Sequence, residues 1–188
     1  QGKTDLIIDN LIAEKKAKPM LVVMMDGNFG TGGIAGFNEQ SLRTFENELK
    51  QSVIPFVEKN YRTETDTKNR ALAGLSMGGL QTLYAGIKNT QLFSYLGVFS
   101  SGWFANRPDL SNPQYEFIKN NMATINSNLK SLWIAMGGKE DIAYANCKIM
   151  LTKFDEMGLK YTYSEYPGGH TWPVWRNNIY NFSQLLFK

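Results

Sequence analysis

The sequence is poor in the residues that several classes of function require. Among 188 residues there is one cysteine, Cys147, and one histidine, His170. A single cysteine excludes an internal disulfide framework and any metal site built on several thiolates. It does not fix the redox compartment, because an exported protein can also lack disulfides. A single histidine excludes a metal site with two imidazole ligands, so any histidine chemistry must use His170. Charge of one sign is scarce too. Lys+Arg number 20 against 17 Asp+Glu, a net charge of +3, and the basic residues are scattered. That balance gives no electrostatic grip on nucleic acid. No apolar stretch approaches the roughly 18 residues of a membrane span. The longest, Met20–Met25, has the length of a strand. The chain opens on Gln1 rather than Met. This points to a natural N-terminus that has been removed, so the lack of a visible leader is no guide to targeting.

What is present is ordinary globular composition, with 43% hydrophobic and 20% charged residues. The length suits one domain, 1–188, with a substantial core. No repeat, low-complexity tract or linker interrupts it. Short apolar runs alternate with amphipathic stretches, which predicts an α/β fold on a mostly parallel sheet. Strands are expected at Met20–Met25 (covered on both faces), Arg70–Ala73, Tyr95–Phe99, Leu132–Met136 and Tyr161–Tyr166. Helices are expected at Leu6–Ala13, Ser41–Tyr61, Met77–Lys88, Pro113–Asn121, Asp141–Met157 and Trp175–Phe187. Pro55 should kink or split the second of these, and Gly158 should end the fifth.

One motif carries chemistry. Gly74-Leu75-Ser76-Met77-Gly78-Gly79 fits G-x-S-x-G, and it follows a short apolar strand and precedes a helix of small residues, as that motif requires. A serine on such a tight turn is strained and exposes its hydroxyl, and glycines at 74 and 78 avoid collision with it. The following helix N-terminus and the Met77 N–H are placed to stabilise an oxyanion. A serine hydroxyl needs a base, and His170 is the only histidine, in the loop Pro167-Gly168-Gly169-His170-Thr171-Trp172. The base needs a carboxylate to hold its tautomer. The loop after Leu132–Met136 offers Asp141, with Glu140 as rival, and either could instead cap the next helix. The order Ser76, Asp141, His170 matches the chain order of α/β-hydrolases.

Two further features bear on ligands. Gly30-Thr31-Gly32-Gly33-Ile34-Ala35 matches G-x-G-x-x-A, but it neither abuts a strand nor opens an apolar helix, so it reads as a rim of the cleft rather than a dinucleotide site. Aromatics are 13% of residues. Phe29, Trp103, Phe104, Tyr144, Trp172 and Trp175 fall in loops at strand ends and are candidates to stack a flat or sugar-like ligand, whereas Trp133, inside a strand, reads as core.

The segment from Arg70 to Gly79 resembles the nucleophile region of the esterase D/feruloyl-esterase-like α/β-hydrolases, which include carbohydrate esterase family 1 modules found beside xylanases. Lys18-Pro19-Met20 leading into Val22-Val23 is similar as well, as are Ile54-Pro55-Phe56-Val57-Glu58, Gly138-Lys139-Glu140-Asp141, and Gly168-Gly169-His170-Thr171-Trp172 with Trp175-Arg176. The resemblance covers nearly the whole chain. It implies an α/β-hydrolase fold with helices on both faces of the sheet and a serine carboxylesterase with Ser76 as nucleophile, Asp141 as acid and His170 as base. Beside these, the serine turn itself offers the Met77 N–H as an oxyanion donor, and the loop positions of Phe29, Trp103, Trp172 and Trp175 make them the expected substrate-binding residues. The implied substrates are acyl esters, often feruloyl or acetyl groups on plant xylan, with no metal or organic cofactor, no nucleic acid and no membrane. Secretion or a periplasmic location follows from that substrate.

One departure stands out. In the family, an apolar strand ending in His-Gly precedes the region where this chain begins, and its loop supplies the second oxyanion N–H. The family's sheet order would leave a gap between Met20–Met25 and the strand before Ser76. The chain is therefore expected to lack N-terminal strands and to be the C-terminal part of a longer one, its sheet completed by an upstream fragment, a second copy or a rearrangement. Alternatives on the same fold are a siderophore esterase or an S-formylglutathione-type thioesterase. A non-catalytic carbohydrate-binding relict is the alternative from another class.

Overall fold

A computed structural model describes residues 2–28 and 38–188. Phe29 and the Gly30–Ala35 glycine motif lie outside the described residues. Four strands form one parallel sheet in sequential order: β1 (Ala71–Leu75), β2 (Tyr95–Phe99), β3 (Ser131–Met136) and β4 (Thr162–Glu165). In register, Leu75 lies beside Phe99, Phe99 beside Ala135, and Met136 beside Glu165. All four strands therefore end on the same side, and the loops that follow them meet there.

The helices are α1 (Thr4–Ala13), α2 (Glu39–Glu48), α3 (Ile54–Asn60), α4 (Met77–Gln81), α5 (Pro108–Asn128), α6 (Tyr144–Met157) and α7 (Trp172–Ser183). A π turn, Leu49–Val53, joins α2 to α3, so the expected helix runs through with its irregularity just ahead of Pro55. Proline has no N–H to return to the preceding turn, and a π turn absorbs that missing bond. Asn38 and Ser41 start α2 with a reciprocal pair of side-chain caps. Gly158, at φ 77°, ends α6 in the left-handed region, as expected from sequence. A second π turn, Thr82–Gly86, follows α4. The α5 helix is far longer than the expected Pro113–Asn121: it starts at Pro108 and runs on through Pro113.

Strand alternation divides the core in two. Leu96, Val98, Leu132, Ile134 and Met136 face a large cluster with Leu83, Tyr84, Ile118, Met150 and Phe154. Tyr95, Phe99, Trp133 and Ala135 face Phe182 and Leu186 in and after α7. Trp133 stacks on Phe182 with ring centroids 5.9 Å apart, and Phe99 meets both edge-on. Helices thus cover both faces, as a parallel sheet requires.

The expected strand at residues 20–25 is not formed. That stretch has no strand partner among the described residues, and its middle side chains are open to solvent rather than covered: Leu21 is 55% and Met24 75% exposed, while Met20 and Met25 pack against the core. Between it and β1 runs a groove of about 950 Å³. Apolar side chains wall it on both sides of the sheet plane, including Phe45, Leu49 and Val53 from one layer and Phe99, Ile179 and Phe182 from the other. β1 is bonded to β2 along one edge only. A parallel strand needs a neighbour to become a strand, and among the described residues none lies between the two candidates.

Gly97 packs directly under the Phe182 ring, which would lie 2.8 Å from a Cβ at that position. Gly97→Ala is therefore expected to destabilise the chain by about 1–3 kcal/mol through overpacking. Urea unfolding should show a lower midpoint with an unchanged slope.

Candidate active site

Ser76 sits between β1 and α4 at φ 52°, ψ −116°. A non-glycine residue there is strained, and such strain persists only where surrounding structure enforces it. Two constraints do so. The Ser76 N–H donates to the Phe99 carbonyl at the end of β2, 2.9 Å away. Gly74 lets the chain turn back on itself, since a Cβ there would fall onto the Gly78 carbonyl. Gly78 itself faces open space among the described residues, so the collision expected from sequence holds at Gly74 and not at Gly78. Gly79 lies against the Ser101 side chain, which brings the start of α4 tight to the end of β2.

The loop after β3 carries Asp141 and the loop after β4 carries His170. These loops touch backbone to backbone: the Gly138 N–H donates to the Gly168 carbonyl at 2.6 Å, and Gly137 has no room for a side chain beside that same carbonyl. The Tyr166 N–H donates to Met136 O, continuing the sheet pairing into the loop. This contact sets the separation of the carboxylate and the imidazole.

The three side chains meet. His170 Nε2 is 2.9 Å from Ser76 Oγ, and His170 Nδ1 is 2.9 Å from Asp141 Oδ1. An ionised carboxylate can only accept, so Nδ1–H donates to Asp141 and Nε2 is left to accept from the serine hydroxyl. The Asp141 side chain is fully buried and that of His170 is 18% exposed. Burial pushes the Asp141 carboxyl up. The Ser100 hydroxyl, the Ala143 N–H and the His170 ring outweigh burial and hold the group below its ordinary value. Glu140, the sequence rival, is exposed and turned back over Gly138.

The aromatic candidates separate. Trp103 is 2% exposed and belongs to the large core cluster, so the expected ligand-stacking position is corrected: its size made it core filler beneath the loop after β2. Phe104 and Tyr144 are half-buried against that cluster. Trp175 meets the His170 ring edge-on with centroids 4.9 Å apart, and Trp172 meets Trp175 at 5.0 Å. Trp175 thus packs the imidazole, while Trp172 remains half-exposed at the head of α7. Sequence reasoning did not single out Ser100 or Gly137 as part of this site. The available signal was their position just past the ends of β2 and β3, beside the serine turn. Burial pushes the Cys147 thiol up to about 12, so it stays protonated at neutral pH. Among the described residues, no three His, Cys, Asp or Glu side chains gather as metal ligands, and no helix is long and apolar enough to cross a membrane.

A strained serine after the first of four parallel strands, with its partners on later strand-end loops, defines the chain as an α/β-hydrolase. It belongs to the Esterase family, whose model matches residues 1–184. It is 34% identical over its whole length to an endo-1,4-beta-xylanase/feruloyl esterase of Xylanibacter ruminicola, and it spans about a quarter (24%) of that relative. The CE1 ferulic acid esterase of the anaerobic fungus Anaeromyces mucronatus superposes with a TM-score of 0.77 at 25% identity, covering 95% of this chain and 68% of that one. An S-formylglutathione hydrolase of Staphylococcus aureus shares the fold at TM-score 0.63 and 16% identity, over 77% of this chain and 63% of its own.

Asp141→Asn should keep the fold but present an amide N–H to Nδ1, forcing the proton onto Nε2. Ester turnover is then expected to fall by about 10⁴ in kcat. Because the Asp141 pKa is lowered on folding, its contribution to stability is present above the unfolded value near ~3.9 and is lost as pH falls through the native one. Acid unfolding of the wild type should therefore extend to pH values below ~3.9, whereas in Asp141→Asn this component should be missing.

Proposed function

We propose that the chain hydrolyses feruloyl esters of plant cell-wall xylan through an acyl-enzyme on Ser76. The observation that carries this reading is the pair of 2.9 Å contacts joining Ser76, His170 and Asp141. Ser76 Oγ attacks the ester carbonyl carbon as its proton passes to His170 Nε2. The negative charge moves to the carbonyl oxygen, where the Met77 N–H at the start of α4 is the donor closest in sequence. The C–O bond to the sugar breaks, and His170 returns its proton to the departing alkoxide. Water then gives a proton to Nε2 and adds to the acyl carbon, the Ser76 ester bond breaks, Ser76 recovers its proton, and the carboxylic acid leaves. Asp141 holds the tautomer and stabilises the imidazolium throughout.

The feruloyl assignment rests on the names of the similar xylanase/feruloyl esterase and ferulic acid esterase. The half-exposed Trp172 beside Trp175 and His170 supports an aromatic acyl group, which it can meet face or edge. Acetylated xylan is the second substrate of the same reading. A location outside the cytoplasm goes with a cell-wall polymer.

The groove beside β1 belongs to this proposal. Its free strand edge, two apolar walls and extended far side at residues 20–25 have the form of a slot for one more β-strand. Gly2 and Thr4 lie on its lining, so polypeptide joined ahead of Gly2 would enter it directly. The Anaeromyces mucronatus esterase has about a third of its chain outside the matched part. We place such an upstream strand in the slot, making residues 1–188 the C-terminal part of the working domain.

A fluorophosphonate probe should add once per chain, and Ser76→Ala and His170→Ala should each abolish the adduct by intact mass. Methyl ferulate should be turned over in preference to acetylated xylan or a thioester. An adduct surviving Ser76→Ala would overturn the assignment of the nucleophile. A chain extended upstream of Gly2 should be more active than 1–188 and should bury residues 21–24. Equal activity and equal exposure would refute the slot.

A further inference from the structure

Among the buried polar atoms of this site without a geometrically defined partner are a hydroxyl and a carboxylate oxygen, Ser100 Oγ and Asp141 Oδ2; the third is Trp175 Nε1, on the ring beside His170. Each is costly alone. A buried hydroxyl or carboxylate oxygen without a hydrogen bond forfeits its hydration with nothing in return. Of Ser100 Oγ and Asp141 Oδ2, the first can donate and the second can only accept.

Their placement brings them together. Ser100 directly follows β2, fully buried, with φ 46°, and its N–H is already committed to Ala135 O at 2.8 Å. Only its hydroxyl is free. Asp141 Oδ2 lies against Gly137, 3.0 Å from where a Cβ would stand, and Gly137 is the residue just past the end of β3, beside β2 in the sheet. Oδ1 is already occupied by the Ala143 N–H and the His170 Nδ1–H, both at 2.9 Å. A serine at φ 46° is strained, and the site tolerates that strain where glycine would sit without it.

We propose that Ser100 is a positioning residue for the triad: its hydroxyl donates to Asp141 Oδ2 and fixes the plane of the carboxylate. This rests on the triad assignment above and extends it to a fourth residue. With both oxygens held, the carboxylate cannot turn about its Cβ–Cγ bond, and Oδ1 stays aimed at Nδ1. Without the hydroxyl, Oδ2 is unsatisfied, and rotation that exchanges the two oxygens becomes the cheapest relief. His170 then loses its fixed tautomer and its aim at Ser76. The role is carried through Asp141, and Ser100 touches no reacting atom.

The histidine count makes the test direct. Because His170 is the only histidine, selective ¹⁵N-histidine labelling reports one imidazole without assignment. In the wild type the Nδ1–H proton should appear as a single sharp low-field resonance. In Ser100→Ala it should broaden or move upfield. For methyl ferulate, kcat should fall about 10–100-fold, the ordinary range for one hydrogen bond to a charged group, with KM unchanged. Ser100→Gly removes the hydroxyl but relieves the backbone strain, so it separates the two roles. If Ser100 serves only to hold the turn, glycine should restore kcat and the resonance. If it positions Asp141, glycine should match alanine in both while melting no lower than wild type. A kcat within twofold of wild type together with an unchanged resonance in either variant would overturn the proposal. The resonance is read whether or not the chain turns over ester, so failure of the hydrolase reading and failure of the Ser100 role give different results.

Discussion

Parallel pairing of the four strands is the constraint on which the site depends. Because β1 to β4 run the same way and in sequential order, every strand delivers its last residue to one rim. Residues that are 94 positions apart in the chain, Ser76 and His170, come within hydrogen-bond distance there without any contact elsewhere in their elements having to be specified. The crossover helices supply the cover that such a sheet needs on both faces. The rim is stiffened by contacts made from backbone alone: Ser76 to Phe99, Ser100 to Ala135, Gly138 to Gly168. Side chains that must be placed to within a fraction of an ångström are thus anchored on backbone atoms, which only a proline substitution would remove.

Electrostatically the site is unusual in what surrounds its buried charge. Asp141 has no arginine or lysine against it. A hydroxyl, one backbone N–H and the His170 ring are the groups that lower its pKa. A cation in the same place would stabilise Asp141 as well but would also repel the imidazolium. The Trp175 ring against His170 adds shape without charge. Charge pairing elsewhere is kept at the periphery: Arg70, at the foot of β1, binds Glu58 and the Leu92 and Thr65 carbonyls, far from the rim.

Much of this was legible in the sequence, for physical reasons that differ by residue. Tyr95–Phe99 was bounded correctly because a five-residue apolar run between polar segments leaves little choice. Ser76, Asp141 and His170 were findable because a steric motif, chain order and a single histidine each narrowed the options. Residues 20–25 misled for the opposite reason. Their composition is that of a buried strand, but a strand is a relation between two segments, and composition does not state whether the second is present. Trp103 misled because a loop position signals exposure only on average, and a large ring beneath a loop can fill the core. Ser100 was invisible because an isolated hydroxyl carries no pattern, and its meaning comes from the orphaned oxygen beside it.

The sheet is asymmetric in how it ends. β4 is four residues long and is flanked by Lys148, Glu165, Tyr161 and Tyr163, a short and charged border that discourages further pairing. The β1 border has its charges at its foot, at Arg70 and Glu58, and apolar residues 21–24 stand open across the groove from it. A bare edge facing exposed Leu, Val and Met is a template for other chains in solution.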